Sequence, residues 1–177
     1  MSNINDYILW RGDLKLDASP FCEIDDMILA RFSYMPFHKI NIEPIETVES
    51  ISKKLKNFKD EEFCYHGDKD LITNMGKSLR FKNMHITNFE ANTNIEAEKQ
   101  FAAITIHIND DIMYLSFNGT DDSIVGWKED FNLSFMENIP SQIEGVRYLE
   151  NQAKQNKKKI RIGGHSKGRK YSNIFSY

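Results

Sequence analysis

Close to the end of this 177-residue chain, the pentapeptide Gly164-His165-Ser166-Lys167-Gly168 follows directly on the apolar run Lys159-Ile160-Arg161-Ile162-Gly163. A G-x-S-x-G pattern riding on a strand is the signature of a sharp strand-to-helix turn. Glycines on both sides let the backbone bend tightly enough to lift one serine hydroxyl above a sheet. Such a turn requires a sheet whose strands are connected through helices, which places the chain in the α/β class.

The bulk of the chain fits that class. A chain of this length that is 40% apolar and 12% aromatic has enough side-chain surface to bury a core of its own. With no repeat and no Gly/Ser-rich linker, residues 1–177 read as a single domain. A net charge of -3 supplies no basic field for nucleic acid or an anionic membrane. Lys157-Lys158-Lys159 reads as a solvated approach to a strand. Cys22 and Cys64 are too few for a disulfide framework or a metal site and read as packing residues. The first residues have no basic start followed by an apolar stretch, and nowhere do eighteen apolar residues run together. The expectation is a soluble cytoplasmic protein without a transmembrane segment.

After a polar start, Ile24, Ile28, Leu29, Phe32 and Met35 recur at helical spacing behind Asp25 and Asp26, predicting a helix over 24–34. Pro36 and Pro44 bracket a loop. Residues 47–58 read as an amphipathic helix opened by a threonine cap, with Val48, Ile51, Leu55 and Phe58 on one face. A short helix is expected over 68–78. From residue 80 the period changes, and Met84, Ile86 and Phe89, then Phe101 to Ile108, then Ile112 to Phe117 predict successive strands. Asn109-Asp110-Asp111 between the last two predicts an antiparallel hairpin. Residues 123–136 read as helical, Pro140 as the stop of that element, and 141–155 as a helix with Ile143, Val146, Leu149 and Ala153 inward. Strand, crossover helices and strand then imply parallel pairing in the second half.

A second stretch supports the same architecture. Leu115-Ser116-Phe117-Asn118-Gly119-Thr120-Asp121-Asp122, followed by Gly126-Trp127-Lys128-Glu129-Asp130-Phe131, resembles the oxyanion strand and loop of class 3 lipases. Together with Tyr7-Ile8-Leu9-Trp10-Arg11-Gly12-Asp13 and the segment from Phe21 to Tyr34, these motifs resemble the Mbeg-like group of α/β-hydrolase proteins, relatives of class 3 lipases, over residues 7–168. The resemblance implies an incomplete α/β-hydrolase fold, with N-terminal helices and then a mixed sheet ending at the nucleophile strand. It implies Ser166 as nucleophile, backbone amides of Thr120 and Lys167 as oxyanion donors, and a catalytic order of serine, aspartate, histidine. Where the group reads Phe-Arg-Gly-Thr this chain has Asn118, and where the group continues with glycine and small apolar residues it has Arg169-Lys170-Tyr171-Ser172-Asn173. That change predicts a truncated or frame-shifted copy.

A serine needs an imidazole, itself oriented by a carboxylate, to take its proton. No histidine follows Ser166. His107 lies on an apolar strand and reads as structural, while His165 is adjacent to the serine and points away from it. Asp121, Asp122 and Asp130 read as charges at a helix start, and Trp127 as core. Asp25, Asp26, Glu61 and Glu62 lack metal-ligand spacing, so no metal or cofactor is expected. The functional expectation is a serine esterase or lipase-type protein acting through Ser166, inactive or weakly active because the downstream aspartate and histidine are missing. The alternative is a non-catalytic fragment or interaction module that uses an exposed sheet edge. Expected partners are a small ester or lipid substrate, a second copy of the chain, or a complementing C-terminal fragment, and not nucleic acid.

Overall fold

A computed structural model describes residues 3–94, 96, 99–119, 124–132 and 139–165, with backbone alone at 124, 125, 129 and 130. The chain divides into two compact units, Met1–Thr87 and Asn88–Tyr177.

The first unit is mainly helical. Helix α1 (Ile4–Arg11) lies in what the sequence suggested was only a polar start. Its polar residues are the reason it forms. The Asn3 side chain accepts from the Asn5 and Asp6 amides, and the Asp6 carboxylate accepts from the Asn3 amide at 2.8 Å. Helix α2 (Glu23–Phe32) buries Ile28, Leu29 and Phe32 as its periodicity requires. Ile24, in its first turn, is 39% exposed instead. After a 3-10 turn at Phe37–Lys39 come the two-residue strand β1 (Glu46–Thr47) and helix α3 (Val48–Leu55). Thr47 Oγ1 accepts from the Ser50 amide at 3.1 Å, so the expected threonine cap is present. Val48, Ile51 and Leu55 are buried, and the helix ends at Leu55, short of Phe58. Helix α4 (Asp68–Lys77) starts behind Gly67, whose φ of 86° is the left-handed conformation that glycine adopts without steric cost.

Cys22 and Cys64 are both exposed rather than packed. Cys22 stands at the N-cap of α2, where its backbone amide donates to Asp25, and at that position the side chain projects outside the helix.

Strand β2 (His85–Asn94) pairs with β1 in antiparallel register, Glu46 opposite Ile86 and Thr47 opposite His85. The second unit holds β3 (Lys99–His107), β4 (Ile112–Phe117), helices α5 (Ile124–Asn132) and α6 (Pro140–Gln155), and β5 (Lys159–Gly164). The strands are ordered β1-β2-β3-β4-β5 in a mixed sheet, so the α/β class holds. β3 and β4 form the expected hairpin, with Ala103 opposite Phe117 and His107 opposite Met113. At its tip Asn109 Oδ1 accepts from the amides of Asp111 and Ile112 at 2.9 and 2.8 Å, which is how an asparagine closes a tight turn. β4 and β5 run parallel, as the intervening helical crossover demands.

Helix α6 bears out part of the expected face, with Leu149 packed against the core and Val146 half-buried, and corrects the rest. Pro140 is its first residue, where a proline's missing N–H costs nothing. Ile143 is 64% exposed and Ala153 is exposed, while Ser141, Gly145, Tyr148 and Gln152 are buried. The buried stripe keeps helical spacing but is built from a tyrosine and small or polar residues. Tyr148 stacks at 5.9 Å on Phe117 and at 6.2 Å on Phe101, within a cluster completed by Ala103 and Leu115. Trp127, expected in the core, is 67% exposed on α5, as is Phe131 one turn later.

Candidate functional site

Strand β4 is almost entirely buried from Met113 to Phe117, including Ser116, as a strand covered on both faces must be. β5 alternates instead: Lys159 and Arg161 are exposed, and Ile160 and Ile162 are half-buried. Their parallel register runs from Ile112 opposite Lys159 to Phe117 opposite Gly164. Both strands therefore reach their carboxyl ends at the same level. In open α/β sheets that edge, where chains leave toward loops and helices, is where ligands bind.

Beyond Phe117 the chain stays attached to β3. The Asn118 amide donates to Ala102 O at 2.9 Å, and the Gln100 Nε2 amide donates to Gly119 O at 3.4 Å. Asn118 Oδ1 is buried with no hydrogen-bond partner among the described residues. Beyond Gly164, His165 is exposed. The edge thus carries Asn118 and Gly119 at the end of one strand and His165 at the end of its neighbour. The expected nucleophile Ser166 and oxyanion donors Thr120 and Lys167 lie outside the described residues, as do Asp121 and Asp122.

His107 can be placed. It closes β3, which runs antiparallel to β4, so it stands opposite Met113 at the far end of the hairpin. Four residues of strand separate Met113 from Phe117, a distance of about 13 Å. His107 is therefore remote from the edge where Gly119 and His165 emerge. Among the described residues no group of three or more His, Cys, Asp or Glu side chains is placed to hold a metal ion. Nor is any described helix long and apolar enough to cross a membrane.

An ion-pair cluster in this unit begins at Lys99, next to Gln100 at the start of β3. Lys99 Nζ lies 2.8 Å and Arg147 Nε 2.6 Å from the two Glu144 oxygens, and Arg147 also pairs with Glu90. The Lys99 hydrogen bond, with help from Arg147, holds the Glu144 carboxyl below its ordinary value. Burial pushes the Tyr148 phenol well up, so it remains a neutral donor.

Gln100 escaped the sequence reading. The available signal was a glutamine near the start of an apolar strand, where an amide is costly to bury without a partner.

No curated protein and no solved structure matches this chain. The family described as Mbeg1-like matches residues 75–176, which span the hairpin, both crossover helices, β5 and the serine motif. More than half of the sequence falls inside that match, and the chain belongs to the Mbeg1-like family.

Proposed function

We propose that this protein is a serine hydrolase of esterase or lipase type with an α/β-hydrolase fold, in which Ser166 is the nucleophile and the amides of Thr120 and Lys167 receive the oxyanion. The observation that carries the reading is the parallel register of β4 and β5. Phe117 opposite Gly164 brings the segments leading to Thr120 and to Ser166 off neighbouring strands at one edge of the sheet. In the reaction the Ser166 oxygen bonds to the acyl carbon of an ester, the carbonyl oxygen takes up negative charge, and the alcohol leaves with a proton. The sequence holds no histidine after Ser166, and His107 stands at the wrong end of the sheet. Oxyanion donors acting without a triad supply about a thousandfold acceleration over water, enough for a reactive probe to report. A fluorophosphonate probe tests the reading: labelling that disappears in Ser166→Ala supports it, and an unlabelled wild-type protein overturns it.

A second reading, a non-catalytic interaction module, is favoured by the place of β5 at the end of the strand order with Ile160 and Ile162 half-exposed. It expects concentration-dependent self-association that Ile162→Lys weakens. A monomer at all concentrations, identical in both forms, would refute it.

A further inference from the structure

Helices α1 and α2 share an apolar groove within the first unit. Ile4, Tyr7 and Trp10 from α1 and Ile24 and Met27 from α2 line an open cavity of about 530 Å³, with Asp6 beside them. A water takes about 30 Å³, so the space suits a row of side chains. Trp10 is 74%, Met27 59% and Ile24 39% exposed. Apolar side chains exposed singly are ordinary, but these three line one surface, and a contiguous apolar patch marks an interaction site. The eight residues of α1 and ten of α2 give walls about 12 and 15 Å long. Two or three turns of a third helix match that length.

Charge decides which helix. Residues 3–27 hold six carboxylates against two cations, and of the six only Asp25 is matched by the buried Arg80. Arg11 lies 5.1 Å from the Trp10 ring centre and donates to Ser19 Oγ at 2.9 Å, so that cation is held by the unit's own groups. Asp6, one of whose oxygens caps Asn3, lines the groove, and Glu23 is exposed next to Ile24. A second copy docking through the same patch would set these carboxylates against their own kind. An anionic membrane meets the same repulsion.

We propose that the groove between α1 and α2 docks a basic amphipathic helix of a partner protein. Its apolar stripe packs on Trp10, Ile24 and Met27, and its lysines or arginines face Asp6 and Glu23. This surface does not depend on the acyl-transfer reading and uses no part of the β5 edge.

The probe is a peptide of about fourteen residues with leucine at helical spacing and lysine elsewhere. Wild-type protein is expected to bind it saturably, with the amide resonances of Tyr7, Trp10 and Met27 shifting. Met27→Lys and Trp10→Ala should each weaken binding by at least about tenfold, as loss of an interface anchor does. Both side chains are mostly exposed in the free protein, so the thermal midpoints of the variants should stay close to wild type. Glu23→Lys should slow association and flatten its dependence on salt. A scrambled peptide of the same composition, or a Leu/Glu version, bound as tightly as the probe would overturn the proposal. Absence of saturable binding, or binding unchanged in Met27→Lys, would do the same. Self-association that Met27→Lys abolishes would assign the groove to a second copy, and Trp10-dependent binding to phosphatidylglycerol vesicles would assign it to a membrane; either result refutes the basic partner.

Discussion

Arg80 and Asp25 form a fully buried ion pair across fifty-five residues of sequence, with Arg80 Nε 2.6 Å from Asp25 Oδ1 and both side chains at 0% exposure. All five guanidinium N–H groups are used. Nη1 donates to Leu14 O and Ser19 O, and Nη2 to Pro20 O and the second Asp25 oxygen. Asp25 also accepts from Tyr7 Oη and from the Cys22 amide. One arginine thus fixes the loop between α1 and α2. The hydrogen bond to Asp25 holds its guanidinium above the ordinary value, so the charge persists. Removing one partner leaves the other charge buried and uncompensated, and Asp25→Asn or Arg80→Met should each cost about 3–5 kcal/mol. The double variant should cost clearly less than the sum of the two, because no orphaned charge remains. Urea unfolding of the four proteins measures this, and additive losses would refute the coupling.

A different device fixes α6. Tyr148 Oη donates to Asn88 O at 2.7 Å and accepts from Thr105 Oγ1 at 2.8 Å, at a site with no solvent. Asn88 holds a φ of 52°, and its side chain donates to Gln152 Oε1 at 2.9 Å one helical turn beyond Tyr148. Tyr148→Phe keeps the aromatic packing but leaves a buried carbonyl and a buried hydroxyl short of a partner, at a cost of about 1–3 kcal/mol. In Thr105→Val the same tyrosine change should cost less, since one of the two orphaned groups is already gone. Equal costs in the two backgrounds, read from thermal unfolding, would show that Thr105 and Tyr148 are not coupled.

These two networks explain what the sequence could and could not disclose. Helix α3 was legible because its threonine cap and its Val48, Ile51, Leu55 stripe are local signals, each fixed by residues within two turns. The hairpin was legible for the same reason, through Asn109 and the apolar runs beside it. The face of α6 was legible only at Leu149 and Val146, because the fully buried stripe is Ser141, Gly145, Tyr148 and Gln152, and Tyr148 is made interior by partners on other strands. Asp25 read only as a carboxylate at a helix start, and nothing near Arg80 in the sequence announces a partner fifty-five residues away. At the candidate site, the parallel placement of β4 beside β5 followed from the helices between them, whereas the bond from Gln100 to Gly119 depends on a register that no single segment encodes.

Helices α3 and α4 meet at a glycine. A Cβ built on Gly76 would collide with Cβ and Oγ of Ser52, while the next nearest atom, Glu49 Cα, stands at an ordinary 3.7 Å. The obstruction is therefore one side chain. Gly76→Ala should destabilise the protein by about 1–3 kcal/mol through overpacking, despite alanine's better helix propensity. Removing the obstruction in Ser52→Gly should cancel most of that loss relative to the Ser52→Gly background. A Gly76→Ala substitution that stabilises wild type by its propensity gain would mean that the helices separate freely at this point.

The acid limb of stability should report on Glu144. Hydrogen bonds from Lys99 and then Arg147 keep its folded-state carboxyl below the ordinary 4.5, against a smaller opposing push from burial. A carboxylate held low in the folded state contributes stability that is fully present above its unfolded value. That stability is lost as pH falls from about 4.5 through the folded value, where the native pair must take up a proton. Glu144→Gln removes this dependence together with the pairing. The variant should be less stable than wild type at neutral pH and lose less on acidification, so the two stability curves converge between about pH 5 and pH 3. Lys99 is 13% exposed and Arg147 is 47% exposed, so Lys99→Met should reproduce more of the effect than Arg147→Met. Urea midpoints across that range decide it. Parallel curves for wild type and Glu144→Gln would mean that some other carboxylate sets the acid limit.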